Sequence, residues 1–154
     1  MKDDLKSIIE KLESRKPNPP LNPKSIWSEE LNSKISPLKV NDVIKSGLYL
    51  WNDDIDRAHK LAQEINNSEG SYWHAILHRR EGDYSNSKYW YRQADNHPIF
   101  QTIKKEFTDW DPFKFVDLCS QSLESGKKEM MEKLETIQFF EIKTLLNYVI
   151  EKCG

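Results

Sequence analysis

The sequence predicts an all-α protein, built of stacked helical hairpins and closed by C-terminal helices. Three observations predict it. From Val40 to Ile150, apolar residues recur three or four positions apart, the spacing that lines one face of a helix. No stretch alternates apolar with polar residues, and no turn dipeptide joins two β-branched runs, so strands are not expected. Between Ser71 and Pro98, two helical patterns meet at a tight Glu81-Gly82-Asp83 connection, as the arms of a helical hairpin do.

The first element expected is an amphipathic helix over 3–15, capped by Asp3 or Asp4, with Leu5, Ile8, Ile9 and Leu12 as its stripe. Pro17, Pro19, Pro20 and Pro23 then forbid a helix or a central strand, so this stretch reads as an extended linker. Ser25 to Ile35 is a short helix with Ile26, Trp27, Leu31 and Ile35 on its apolar side, interrupted at Ser36-Pro37. Residues 1–39 are thus expected to form an N-terminal helix and a loosely packed proline-rich arm, and 40–154 the helical-hairpin domain.

In that domain Asn41 is the expected cap of a helix carrying Val43, Ile44, Gly47, Leu48, Leu50 and Trp51. The residues Trp51-Asn52-Asp53-Asp54 form a turn. Asp53 or Asp54 caps the next helix, with Ile55, Ala58, Leu61, Ala62 and Ile65 facing inward. After Asn66-Asn67-Ser68 and Gly70, a third helix runs from Ser71 to about Arg80. Gly82 suits the left-handed closing position, and Tyr84 to Ala94 is the fourth helix. Pro98 opens a short fifth helix with Ile99, Phe100, Ile103 and Phe107. Asp111-Pro112 is a capping carboxylate followed by proline at the first helical position; that helix carries Phe113, Val116, Leu118 and Leu123 and ends at Gly126. Lys128 to Lys152 is either one long helix or two, broken near Gln138–Phe139.

Composition bounds the function. At 154 residues, with five Trp, six Tyr and six Phe, the chain can bury a real core although only 37% of it is apolar. The net charge of −2, with both signs scattered, gives no footprint for a polyanion, so no nucleic acid partner is expected. No apolar run reaches membrane-spanning length, and the charged N-terminus carries no secretion signal. Cys119 and Cys153, far apart, read as reduced thiols of a cytoplasmic protein. No cofactor is called for: there is no glycine-rich phosphate loop and no Gly-x-Ser-x-Gly turn, and the acidic Asn52–Asp56 run lacks the length and central glycine of a calcium loop.

The helical pair with Gly82-Asp83-Tyr84 at its centre, the aromatic Tyr91, the small Ala94 and the closing Pro98 resemble a tetratricopeptide-type helix–turn–helix. Residues 43–65 resemble a degenerate second copy, with Ser46 and Gly47 on one helix and Ala58 and Ala62 on the next. The pattern is departed from in three ways. The units lie closer together than the usual repeat, Ser87 replaces a small apolar residue, and His74 and His78 fall where buried apolar or aromatic residues are expected. The stretch from Gly47 to about Cys119 also resembles a group of uncharacterised bacterial and fungal proteins, from which no catalytic role carries over.

His74 and His78 stand four apart on one helix and project from the same side, a spacing that can offer two imidazoles to one metal ion. The third ligand would be His59, Glu81, Asp54 or Asp56. Ala75 follows His74, so the His-Glu-x-x-His arrangement is absent. The plainer reading makes both histidines core residues bonded to backbone or to Gln63. A third reading gathers His59, Gln63, Trp73, His74, His78, Arg80 and Glu81, with Trp51 and Trp90, around a polar pocket for a small polar or acidic ligand. Against it, Arg79 and Arg80 can simply pair with Glu81, Asp83 or Asp54, and the tryptophans can fill core. A histidine beside Glu81 or Asp54 can also act as acid or base.

Two functions follow. The first is a non-catalytic binding or scaffolding module with a His/Arg/Trp-lined pocket, whose protein partner would be a short peptide or another copy of the chain. The alternative is a small-molecule enzyme or a metal-binding protein using His59, His74 and His78.

Overall fold

The computed structural model describes residues 2–153. Met1 and Gly154, the outermost residues of the two expected units, lie outside it. Among the described residues there are nine helices and no strand: α1 (Lys2–Glu13), α2 (Glu29–Ile35), α3 (Asp42–Trp51), α4 (Ile55–Ala62), α5 (Ser68–Glu81), α6 (Tyr84–Gln93), α7 (Ile99–Glu106), α8 (Pro112–Ser125) and α9 (Lys128–Cys153).

Local chemistry explains most boundaries. The Asp54 carboxylate accepts from the Arg57 N–H at 3.1 Å and starts α4, and Asp111 accepts from Phe113 N–H at 2.8 Å and starts α8. Gly82 closes α5 in the left-handed conformation, φ +83°, and the Asp83 N–H donates to the His78 carbonyl at 2.8 Å. α5 begins earlier than expected, because the Asn67 side chain caps it by accepting from the Gly70 N–H. Gly70 therefore lies inside the helix. A Cβ there would stand 2.4 Å from the Ile65 carbonyl oxygen, so the helix enters against the preceding chain. Asn41 caps α3 through its carbonyl alone; its side chain makes no capping bond. α9 is one unbroken helix, which settles the alternative left open near Gln138–Phe139.

Neighbours in sequence pack on one another: α3 on α4, α4 on α5, α5 on α6. α9 lies against α3, α7 and α8, and α8 against α6. Trp51, Tyr72, Trp73, Ile76, Tyr91, Phe115, Leu48 and Leu50 fill the interior. In each of the pairs α3/α4 and α5/α6, one serine ties the helices together. Ser46 Oγ donates to the Ala58 carbonyl at 2.8 Å, and Ser87 Oγ donates to the Ala75 carbonyl at 2.6 Å. Ser87 is thus buried without leaving its hydroxyl unpaired.

The N-terminal region is not a loose arm. Leu12 and Leu21 are buried. Arg15 donates to the Trp51 carbonyl at 2.7 Å and to Asp53 at 2.8 Å. The proline segment offers its carbonyls as acceptors: Arg80 Nη2 donates to Pro20 O at 2.9 Å, and Gln138 Nε2 reaches Pro20 O at 3.1 Å and Pro19 O at 3.3 Å. Prolines forbid helix but keep their carbonyls, so an extended segment becomes a strap across α5 and α9. No described helix is long and apolar enough to cross a membrane.

Candidate functional site: a histidine cluster between α4, α5 and α6

His59 sits in the last turn of α4, and His74 and His78 one turn apart on α5. Packing of α4 on α5 brings the three rings together. The centroids of His59 and His74 are 5.1 Å apart, those of His59 and His78 5.4 Å, and those of His74 and His78 5.9 Å. One potential ligand nitrogen from each ring lies within 4.8 Å of the others. His74 stacks on Trp90 of α6, with centroids 4.1 Å apart and ring planes 14° from parallel. His74 and His78 are buried and His59 is half-buried, so the cluster meets the surface through α4.

In neither buried ring does the fold satisfy both nitrogens. The Nδ1 atoms of His74 and His78 have no hydrogen-bond partner. His78 Nδ1 lies 3.4 Å from Glu81 Oε2 and 3.7 Å from Asp83 Oδ2, near enough for attraction but short of hydrogen-bond geometry. The Ala62 carbonyl meets His74, as the expected backbone bond would, but the Nδ1 atoms of both rings are left over. Burial pushes the His74 imidazole down to about 4, helped by repulsion from His59 and His78 and opposed by the Ala62 carbonyl. Burial also holds His78 below its ordinary value, against the pull of Glu81 and Asp83. Both rings are thus neutral at pH 7, each with a lone pair.

The remaining candidates separate from this cluster. Trp73 is fully buried and its indole N–H donates to the Val43 carbonyl at 2.9 Å, so it is core and not a ligand contact. Trp51 is likewise sealed, edge-on to Phe139. Arg80 is buried against Asp53, 2.7 Å away, and the Leu50 carbonyl. Its guanidinium is therefore withdrawn from the site, and with it the cation that an acidic ligand needs. Gln63 is exposed at the end of α4. Asp54 is committed to its cap, to Asn32 and to Arg57, and Asp56 is exposed. Of the residues expected at a pocket, His59, His74, His78, Glu81 and Trp90 converge; Trp51, Trp73 and Arg80 do not.

Two buried polar groupings were not foreseen. Glu141 accepts from Tyr72 at 2.8 Å, Tyr91 at 2.6 Å and Arg79 at 2.9 Å, and Arg79 also donates to Gln138. The signal was present in α9, where Gln138 and Glu141 fall on the stripe of Leu134, Ile137, Ile142 and Leu145. The second joins His97 Nε2 to Glu69 at 2.9 Å and Glu69 to Lys152 at 2.8 Å. Both are closed networks of structural bonds. A cavity of about 310 Å³ between α7, α8 and α9 is lined by Phe107, Trp110, Phe115, Leu118, Leu134 and Ile137 and does not touch the histidines.

No protein-family model, curated protein or solved structure matches the chain.

Proposed function

We propose that this protein is a non-catalytic binding module in which α3–α6 form two tetratricopeptide-like hairpins and the ligand sits at His59, His74 and His78. One observation carries the reading: two buried imidazole rings converge with a third, and each of the two keeps one nitrogen, Nδ1, that has no hydrogen-bond partner. Leaving a buried polar atom unpaired costs about 1–3 kcal/mol, so a ligand that draws the rings into bonding geometry recovers what the fold forgoes. The small residues Ser46, Gly47, Ala58, Ser87 and Ala94 support the hairpin assignment. Cytoplasmic residence belongs to the same proposal, supported by two thiols that form no disulfide.

Native mass spectrometry of the untagged chain, purified without chelator, tests the reading. A stoichiometric mass excess is expected in the wild type and is lost when His74 and His78 are both changed to Ala with the helical circular dichroism retained. An excess that survives the double change places the ligand elsewhere and overturns the proposal.

A further inference from the structure

We infer that the ligand is a single late first-row divalent cation of the zinc class, held by one ring nitrogen each of His59, His74 and His78. The inference rests on the binding reading above and names its ligand.

The donor set selects the ion. Three imidazoles and no carboxylate cluster suit zinc, nickel or copper, whereas calcium and magnesium require oxygen ligands. The ligand nitrogens lie within 4.8 Å of one another. Three nitrogens bound at about 2.0–2.1 Å to one zinc ion sit closer together than that, so loading draws α4 slightly toward α5. The two histidines of α5 are one turn apart and cannot by themselves enclose an ion. His59 supplies the third donor from a different helix, and the ion therefore staples α4 to α5.

The surroundings are those of a ligand shell. Metal-bound histidines characteristically donate their other ring N–H to a carboxylate, which fixes the tautomer and strengthens the ligand. Glu81 and Asp83 face His78 Nδ1 at 3.4 and 3.7 Å. With Nδ1 turned to these carboxylates, His78 presents Nε2 to the ion. Trp90, stacked on His74 at 4.1 Å, fixes the orientation of that ring. Glu81 is thus a positioning residue, not a ligand. Three protein nitrogens leave a fourth position on the ion for water or a donor group from a partner. The half-buried His59 marks the side from which the ion enters.

The test is titration of Zn²⁺, and in parallel Co²⁺, into the untagged full chain after chelator stripping and dialysis. One equivalent of Zn²⁺ is expected to bind by calorimetry, and Co²⁺ is expected to give a visible ligand-field band. His59→Ala removes the one ligand that is not buried, so it keeps the fold and is expected to abolish stoichiometric binding. Glu81→Gln is expected to weaken Zn²⁺ about 10- to 100-fold while the cobalt band keeps its shape, since the ligands are unchanged. The inference is overturned if the stripped wild type takes up no Zn²⁺, or if binding is unaltered by both His59→Ala and His74→Ala. An organic mass excess that depends on His74 and His78, with no zinc uptake, defeats the metal assignment and leaves the binding module standing. Absence of both defeats the two together.

Discussion

A Cβ added at Gly47 would stand 2.5 Å from Trp73 Cζ2 and 3.1 Å from Leu146 Cδ1. Both neighbours are rigidly held in the core, and the indole is further pinned by its bond to the Val43 carbonyl. Gly47→Ala is therefore expected to destabilise the protein by about 1–3 kcal/mol through overpacking, read as a lower urea midpoint at unchanged slope. Trp73→Ala acts in the opposite sense at the same contact and is expected to cost about 3–5 kcal/mol by leaving a cavity. A loss below about 1 kcal/mol in equilibrium denaturation would mean that the indole is not buried. At this scale the sequence was legible where a residue type has few uses. Histidines on an apolar helix face announced the cluster, and Gly82 announced the turn. Arg79 and Arg80 were not legible in the same way. Adjacent on α5, they point to different sides, one to Glu141 of α9 and the other to Asp53 beside α4. Which carboxylate each one meets depends on tertiary packing, and sequence distance does not encode it.

Asp53 organises the elements around it. It adopts φ +64°, takes Arg15 on one carboxylate oxygen and Arg80 on the other, and thereby joins the end of α1, the α3–α4 turn and α5. All three side chains are nearly sealed from water. Asp53→Ala strands two buried guanidinium groups and is expected to cost about 3–5 kcal/mol, the loss seen when one partner of a buried ion pair is removed. Arg15→Met, which removes one charge and keeps much of the apolar stem, is expected to cost less, and chemical denaturation of the two variants decides it. A larger loss for Arg15→Met would mean that Asp53 is not the hub. The helices themselves followed from apolar spacing and caps, apart from shifts of a few residues at α2 and α5. The strap did not follow. Proline composition showed that residues 16–23 are extended, but the Arg80 and Gln138 side chains that grip their carbonyls come from far along the chain.

At the scale of the molecule, α9 is tied to α5 and to the turn before α7 through His97 and Glu69. His97 Nε2–H donates to Glu69, and its Nδ1 accepts from the Ile99 N–H at 3.2 Å, so the ring is held neutral with both nitrogens in use. Lys152 completes Glu69 from the end of α9, and Tyr72 and Tyr148 enclose the imidazole edge-on. Burial keeps His97 below its ordinary value although Glu69 pulls the other way, and Glu69 itself is lowered by its bonds to Lys152, Ser68 and His97 against the cost of its burial. The signs agree. As pH falls through the unfolded histidine value of about 6.5, the unfolded chain takes up a proton that folded His97 refuses, and stability declines. Glu69 adds a second decline below about 4.5, where the unfolded carboxylate protonates first. His74 and His78 in the metal-free chain contribute with the same sign as His97. The urea midpoint of stripped protein is therefore expected to fall between about pH 7.5 and pH 5.5, and to fall less steeply in His97→Gln, which keeps a hydrogen-bonding side chain that does not titrate. A His97→Gln profile parallel to that of the wild type would show that His97 takes its proton equally well folded and unfolded, and that the link between α5 and α9 is insensitive to acid.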